Sequence, residues 1–431
     1  MIPLALLACL SRSDPPEPPE SRADRILKAR ALDPEEAVPG RFKSISDTPD
    51  EDLQALAALG YVDGTMPPPN THGARVIDAD AIQPGANLYV SGQGPEAHLI
   101  DRDGTVLHKW AYDWFDQWPE ETGREHKEFP NHWRRAHLYE NGDLLVIWGG
   151  QGMAKIDKDS RFLWGTSERN VHHDIDVAPD GSVWTLAREP MRLPELAQNA
   201  VVMDTVLVFE PDGAVREEFS VFDCFLNSEH RRWISTFGKR GDILHTNTIT
   251  ILGEGFRRKE FAAGNLLVSF RNTSQLAVID PRAKSVVWML RGPWIAQHQP
   301  VLLSDDLVLL FDNRGLETRS RVLEASTYSG RETWQYGADD GQYFWSKILG
   351  SVQRLDNGNT LITESDNGRA FEITRDGKRV WEFVNPHRAG DHDQFIASLY
   401  ELVRLPPDFD LSWADPATAA KSVRAQGGPG E

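Results

Sequence analysis

Residues 98–110 read HLIDRDGTVLHKW. An apolar run enters an Asp-rich turn that closes on Gly, and a second extended run leaves it for a tryptophan. Gly supplies the positive φ that such turns require. One hairpin of this kind decides little, but this one recurs. AKIDKDSRFLW ends at Trp164, LVFEPDGAVREEF at Phe219, AVIDPRAKSVVW at Trp288, EASTYSGRETW at Trp334 and FEITRDGKRVW at Trp381. The six copies are spaced about 54 residues apart, near the range of propeller-blade periods.

A second hairpin precedes most copies. LYENGDLLVIW, VAPDGSVWTLA, AAGNLLVSF, LLSDDLVLLF and RLDNGNTLIT each place a Gly, Asn or Asp turn between apolar strands. Asn-Gly and Asp-Gly between alternating apolar residues are strong hairpin signals. Four short strands per repeat, six repeats and almost no helical periodicity predict an all-β chain folded as a six-bladed β-propeller. Ring closure removes the exposed sheet edges that endanger all-β chains. The strand SLYELVRLP at 398–406 is expected to complete the ring. A two-sheet sandwich would not explain so long a period.

This gives four segments. Residues 1–9 form a candidate lipoprotein signal segment, 10–84 a Pro-rich, acidic tether and lead-in, 85–406 the propeller, and 407–431 a polar tail. In MIPLALLACL, the run Leu6 to Cys9 resembles a bacterial lipobox, although no basic segment precedes it. The implied product is lipidated at Cys9 and held in the cell envelope or periplasm, with the polar stretch 11–20 as tether. PDEDLQALAALG at 49–60 reads as a short helix with an acidic start and a Gly stop. Cys224 is the only other cysteine, so cysteine usage does not report the redox compartment.

Composition narrows the partners. The 431 residues carry a formal net charge of -19, and 40% are hydrophobic. That supports a substantial core and argues against a nucleic-acid surface, which needs a basic footprint. There is no polybasic membrane patch, and no stretch approaches the roughly 18 apolar residues of a span.

The chemistry gathers at the starts of the inner strands, which line a propeller's channel. These read RRAHLYENG (His137), NVHHDIDVAPDG (His172, His173), ILHTNTITIL (His245, Asn247) and AQHQPVLLSDD (His298). Any one imidazole could simply bond a neighbouring blade. Their clustering at equivalent repeat positions favours a site. Arg271, in LLVSFRNTSQ, sits where a strand would emerge at the channel mouth. A guanidinium among imidazoles suits a tetrahedral oxyanion. Three histidines can also hold zinc, but no ligand spacing fixes a metal and Arg271 would repel one. A metal is therefore the second reading.

At these residues the chain resembles the bacterial arylsulfate sulfotransferase family, which works without the nucleotide PAPS. The resemblance rests on HTN at 245–247 with SFRN at 269–272, QH at 297–298 with LFDN at 310–313, and HHDI at 172–175. It spans roughly 85 to 405. It implies sulfuryl transfer from an aryl sulfate donor to a phenolic acceptor, with no cofactor. By the same resemblance His298 is the nucleophile that forms a transient sulfohistidine. His245, Asn247, Arg271 and one histidine of the 172–173 pair would bind sulfate oxygens or stabilise charge. His173 precedes its turn Gly by the same spacing as His245, which favours it over His172. His245 is a candidate proton donor for the leaving phenolate. Trp294, Phe344 and Trp345 are candidates for stacking on the phenol, or equally for packing between blades.

Residues 10–84 are too few and too polar for the N-terminal β-sandwich of the best-known family members, so no dimer is implied. REPMRLPELAQNAVVMD at 188–204 is expected to form a lid or a long loop. Two rival functions remain: another enzyme on the same propeller, whether hydrolase, lyase or metal-dependent, and a non-catalytic, lipid-anchored binding module.

Overall fold

The computed structural model describes residues 63–119 and 131–414, apart from 168, 195, 198–200, 240, 317 and 391. Cys9, the helix expected at 49–60 and the far C-terminal tail lie outside the described residues.

Six antiparallel sheets form six propeller blades. Blade 1 joins Asn87–Ser91, Glu96–Ile100 and Val106–Ala111 to the late strand Leu399–Arg404. That strand is the innermost of the blade and pairs with Asn87–Ser91. Chain ends more than 300 residues apart thus close the ring. Blades 2 to 5 are contiguous in sequence, over 133–166, 171–220, 246–291 and 298–336. Blade 6 spans 351–384 and gains a fifth, outermost strand from Gly73–Val76, which pairs with Arg379–Val384. The sheet therefore begins inside the range read as lead-in.

The repeated sequence features each have a structural task. In the opening hairpin, the Asp101 carboxylate accepts from the backbone N–H groups of Asp103 and Thr105 at 2.9 and 2.8 Å. Gly104 then takes φ +88°. The terminal tryptophans tie blade to blade. Each Nε1–H donates to a turn carbonyl of the next blade: Trp110 to Gly142, Trp164 to Pro211, Trp288 to Thr327 and Trp334 to Arg375, at 3.0 to 3.2 Å. Trp381 of blade 6 closes the circle on Arg102 of blade 1 at 2.7 Å. Phe219 ends the third copy and has no N–H to give. This is why an indole recurs where any large apolar residue would fill the space.

Much of 188–204 is strand instead of lid. Arg188 to Met191 pair with Asp204 to Val201, lengthening the central hairpin of blade 3.

Candidate active site

Five of the six inner strands carry a β-bulge near their start. Arg134 is the extra residue in blade 2, His173 and Asp174 in blade 3, and Asn247 in blade 4. The register also slips across Gln299–Pro300 in blade 5 and at Tyr400 in blade 1. A bulge bends the strand and re-aims a side chain. The cavity at this end of the channel is lined by Arg134, His173, Asn247, Gln299 and Tyr400, with Arg135, His298, Leu349 and Gly350. The bulges thus aim one residue from each of five blades at one point. Backbone strain gathers here too. His173, His245, Gln299 and Leu349 take φ of +64°, +53°, +45° and +55°. Non-glycine residues adopt this conformation at a cost of about 1–3 kcal/mol each.

The floor is pinned by charge. Asp174 pairs with Arg135 of blade 2 at 2.8 Å and accepts from the backbone N–H of Ile249 in blade 4 at 3.1 Å. Arg135 also pairs with Glu401 of blade 1 and donates to Gln299 Oε1 at 2.7 Å. One largely buried guanidinium therefore holds blades 1, 2, 3 and 5 together at the cavity floor.

His298 is the best-defined group. Its Nδ1 lies 2.8 Å from Asn313 Oδ1 and 3.0 Å from the Ala296 carbonyl. The Asn313 amide nitrogen already donates to the carbonyls of Ser346 and Leu349, at 2.9 and 2.6 Å. Asn313 must therefore present its oxygen to His298, and the Ala296 carbonyl can only accept. Two acceptors at Nδ1 assign the proton to it and leave the lone pair on Nε2. Burial first, and then the charges of Arg271 and Arg134, hold this imidazole well below its usual pKa. It is neutral at pH 7.

His245 is held differently. Its Nδ1 lies 2.7 Å from Asp242 Oδ2, and its backbone N–H donates to Asp242 Oδ1 at 3.0 Å. Burial would raise the Asp242 carboxyl, but His245 and Arg188 outweigh it and hold the group below the usual carboxylate range. Burial lowers the His245 pKa, and Asp242 opposes that shift. The pair has the orienting logic of a carboxylate–imidazole dyad, with Nε2 as the working atom. Arg271 is half-buried where this strand pair ends, its backbone N–H donating to the His245 carbonyl at 3.2 Å. Its charge acts on both His245 and His298.

The 172–173 pair divides its work. His173 lines the cavity and packs edge-on to His245, with ring centroids 4.7 Å apart. Its buried Nε2 has no hydrogen-bond partner. His172 lies behind it, touching His173 through Nδ1 and standing 3.3 Å from Asp204 through Nε2. Asp204 in turn accepts from the backbone and hydroxyl of Thr246. Asn247 reaches the cavity while its Nδ2 donates to the Gln297 carbonyl at 2.8 Å.

Other expected site residues lie elsewhere. Trp294 is buried in the core between blades 4 and 5, and Phe344 in the core between blades 5 and 6, among Phe311, Tyr336 and Phe371. Trp345 is half-buried outside the cavity lining, its backbone N–H spent on Glu364. None of the three is in the cavity wall, and Trp294 and Phe344 serve packing between blades. His137 sits past the bulge of its strand, against Tyr139 with ring centroids 4.9 Å apart. Burial and Lys155 lower its pKa to about 4. Arg134, Arg135, Gln299 and Tyr400 are additions that the sequence reading passed over. The doublet Arg134–Arg135, at the start of the His137 strand, was the available signal. Tyr400 is the aromatic residue that lines the cavity.

The sequence profile of the arylsulfotransferase (ASST) family matches residues 135–386. No protein of curated function matches the sequence. Similar solved structures include a protein of unknown function from Bacteroides caccae, at 16% identity and TM-score 0.48, covering 74% of this chain and 98% of that one. A streptogramin B lyase matches at 10% identity and TM-score 0.41, over 77% and 97% of the two chains. A selenomethionine-substituted virginiamycin B lyase from Staphylococcus aureus matches at 12% and 0.34, over 58% and 69%. These distant likenesses carry no argument about activity.

Proposed function

The chain belongs to the arylsulfotransferase family, and from that premise we propose that it moves a sulfuryl group from an aryl sulfate to a phenolic acceptor through a sulfohistidine on His298. The observation that carries this reading is the fixed Nδ1–H tautomer of His298, with a neutral Nε2 at a cavity flanked by cationic groups.

In the first half-reaction the Nε2 lone pair of His298 attacks sulfur. The bond from sulfur to the aryl oxygen breaks, and its electron pair leaves on that oxygen. In the reacting form His245 is the imidazolium that Asp242 favours against burial, and its Nε2–H gives the proton that neutralises the phenolate. Arg271 and Arg134 offset the negative charge of the sulfuryl oxygens, the kind of contribution that is often the largest in catalysis. In the second half-reaction the acceptor hydroxyl attacks the same sulfur and its proton passes to His245. The bond from sulfur to nitrogen breaks, and its electron pair returns to Nε2. Every step balances without a cofactor, and the kinetics are ping-pong.

The test uses the purified protein with 4-nitrophenyl sulfate, with and without a phenol acceptor. Acceptor-dependent release of 4-nitrophenol, lost in His298→Ala, supports the reading. Release that ignores the acceptor would make the protein a hydrolase.

A further inference from the structure

We propose that Tyr89, His98 and His387 form a binding site for a zinc-type divalent ion, at the seam where blade 6 meets blade 1 and apart from the His298 cavity. The sequence prepares it. Glu96 and His98 alternate on one strand and so share a face. Tyr89 stands directly opposite His98 on the neighbouring strand. His387 comes from the connection between the last strand of blade 6 and the closing strand at 399.

Three lone-pair atoms converge there. Tyr89 Oη lies 2.7 Å from His98 Nδ1 and 3.3 Å from His387 Nε2, and the two nitrogens are 3.4 Å apart. Around a tetrahedral ion with bonds of ~2.0–2.1 Å, ligand atoms stand ~3.3–3.4 Å from one another. Two of the three separations already have that value. The third is a hydrogen bond that the ion would replace, with Tyr89 then offering its oxygen to the metal.

The surroundings suit a cation. His98 Nε2 lies 3.1 Å from Glu96 Oε1, so the carboxylate takes its N–H and leaves Nδ1 as the lone pair. A carboxylate behind a ligating imidazole is the usual outer support of a metal-bound histidine. Glu96 is itself fixed by Gln93 Nε2 at 3.0 Å and by an ion pair with Lys109. Tyr89 and His98 are buried while His387 is half-buried, which gives an ion a way in. An ion there would tie the connection at 385–398 to blade 1, at the ring's point of closure.

The experiment strips the full-length protein with a chelator, titrates it with zinc sulfate and measures bound zinc per chain after equilibrium dialysis. Far-UV circular dichroism checks the fold of each variant. One saturable zinc per chain is expected, lost in His98→Ala and in His387→Ala and weakened about 10–100-fold in Glu96→Gln. Zinc should also raise Tm in wild type and not in His387→Ala. The ion should persist in His298→Ala, which separates this site from the cavity histidines. No saturable zinc, or zinc retained by His387→Ala, overturns the proposal. If His98→Ala does not fold, His387→Ala, at the half-buried residue, decides alone.

Discussion

Asn313 Oδ1 lies 2.8 Å from His298 Nδ1, and it can only accept there because the amide nitrogen of Asn313 is bound to two carbonyls. This one contact fixes both the orientation and the tautomer of the His298 ring, the proposed nucleophile. Replacing the amide by a carboxylate in Asn313→Asp puts a negative charge beside the imidazole and raises its pKa. More of His298 is then protonated at a given pH, so the acid limb of kcat/KM moves to higher pH. In wild type that limb is expected well below the ordinary histidine value, because burial and Arg271 hold the ring neutral. Asn313→Ala leaves the ring free to turn and should cost about 10²-fold in kcat, the scale of a small misplacement at a reacting centre. A pH–rate profile of the two variants checks both expectations.

In the proposed mechanism Asp242 supports His245 as the proton donor. Asp242→Asn should matter most where the departing phenolate needs protonation. With unsubstituted phenyl sulfate the rate is expected to fall about 10²–10⁴-fold. With 4-nitrophenyl sulfate, whose phenolate leaves readily, the loss should be much smaller. A series of donors of rising phenol pKa measures this as a steeper slope in the variant. Equal losses across the series would remove His245 from the acid role.

Trp294 and Phe344 fill the cores between blades and do not line the cavity. Phe344→Ala should therefore destabilise the fold by about 3–5 kcal/mol, the usual scale for emptying a buried aromatic site. KM for the aryl sulfate should stay within about twofold at a temperature where the variant is folded. Tyr400→Ala is expected to raise KM as well as lower Tm, because Tyr400 lines the cavity and is also buried against His132. Chemical unfolding and steady-state kinetics on both variants decide.

His137 titrates on the stability curve and not on the rate. Its folded pKa is lowered from 6.5 to about 4 by burial and by Lys155. Between those values the unfolded chain binds a proton that the folded chain does not. Its contribution is thus complete above about pH 6.5 and is lost as pH falls toward 4. Unfolding free energies of wild type and His137→Gln should diverge across that window, wild type losing up to about 1.4 kcal/mol per pH unit relative to the variant. Parallel curves would contradict the lowered pKa.

The fold was legible because its signals are local and repeated. Asp carboxylates that cap turns, glycines with positive φ and terminal tryptophans recur in most of the copies, about every 54 residues, and each has a geometric task where it occurs. Gly73–Val76 was not legible, since four residues form a strand only against a partner 300 residues away. In the site, the imidazoles stood out by residue type. Arg134, Gln299 and Tyr400 did not, because a bulge breaks the alternation by which a reader assigns inward and outward faces. Sequence proximity misled in the opposite direction for Trp294 and Phe344. Both are near site residues in the chain, but they turn into the space between blades.

The most direct test of the account is the covalent intermediate. The protein is mixed with excess 4-nitrophenyl sulfate without acceptor, quenched at alkaline pH and analysed by intact and peptide mass spectrometry. One added sulfuryl group is expected, on the peptide containing His298, and it should disappear when a phenol is supplied before the quench. A protein that turns over donor and acceptor with no adduct on His298, or that still turns over as His298→Ala, would contradict it.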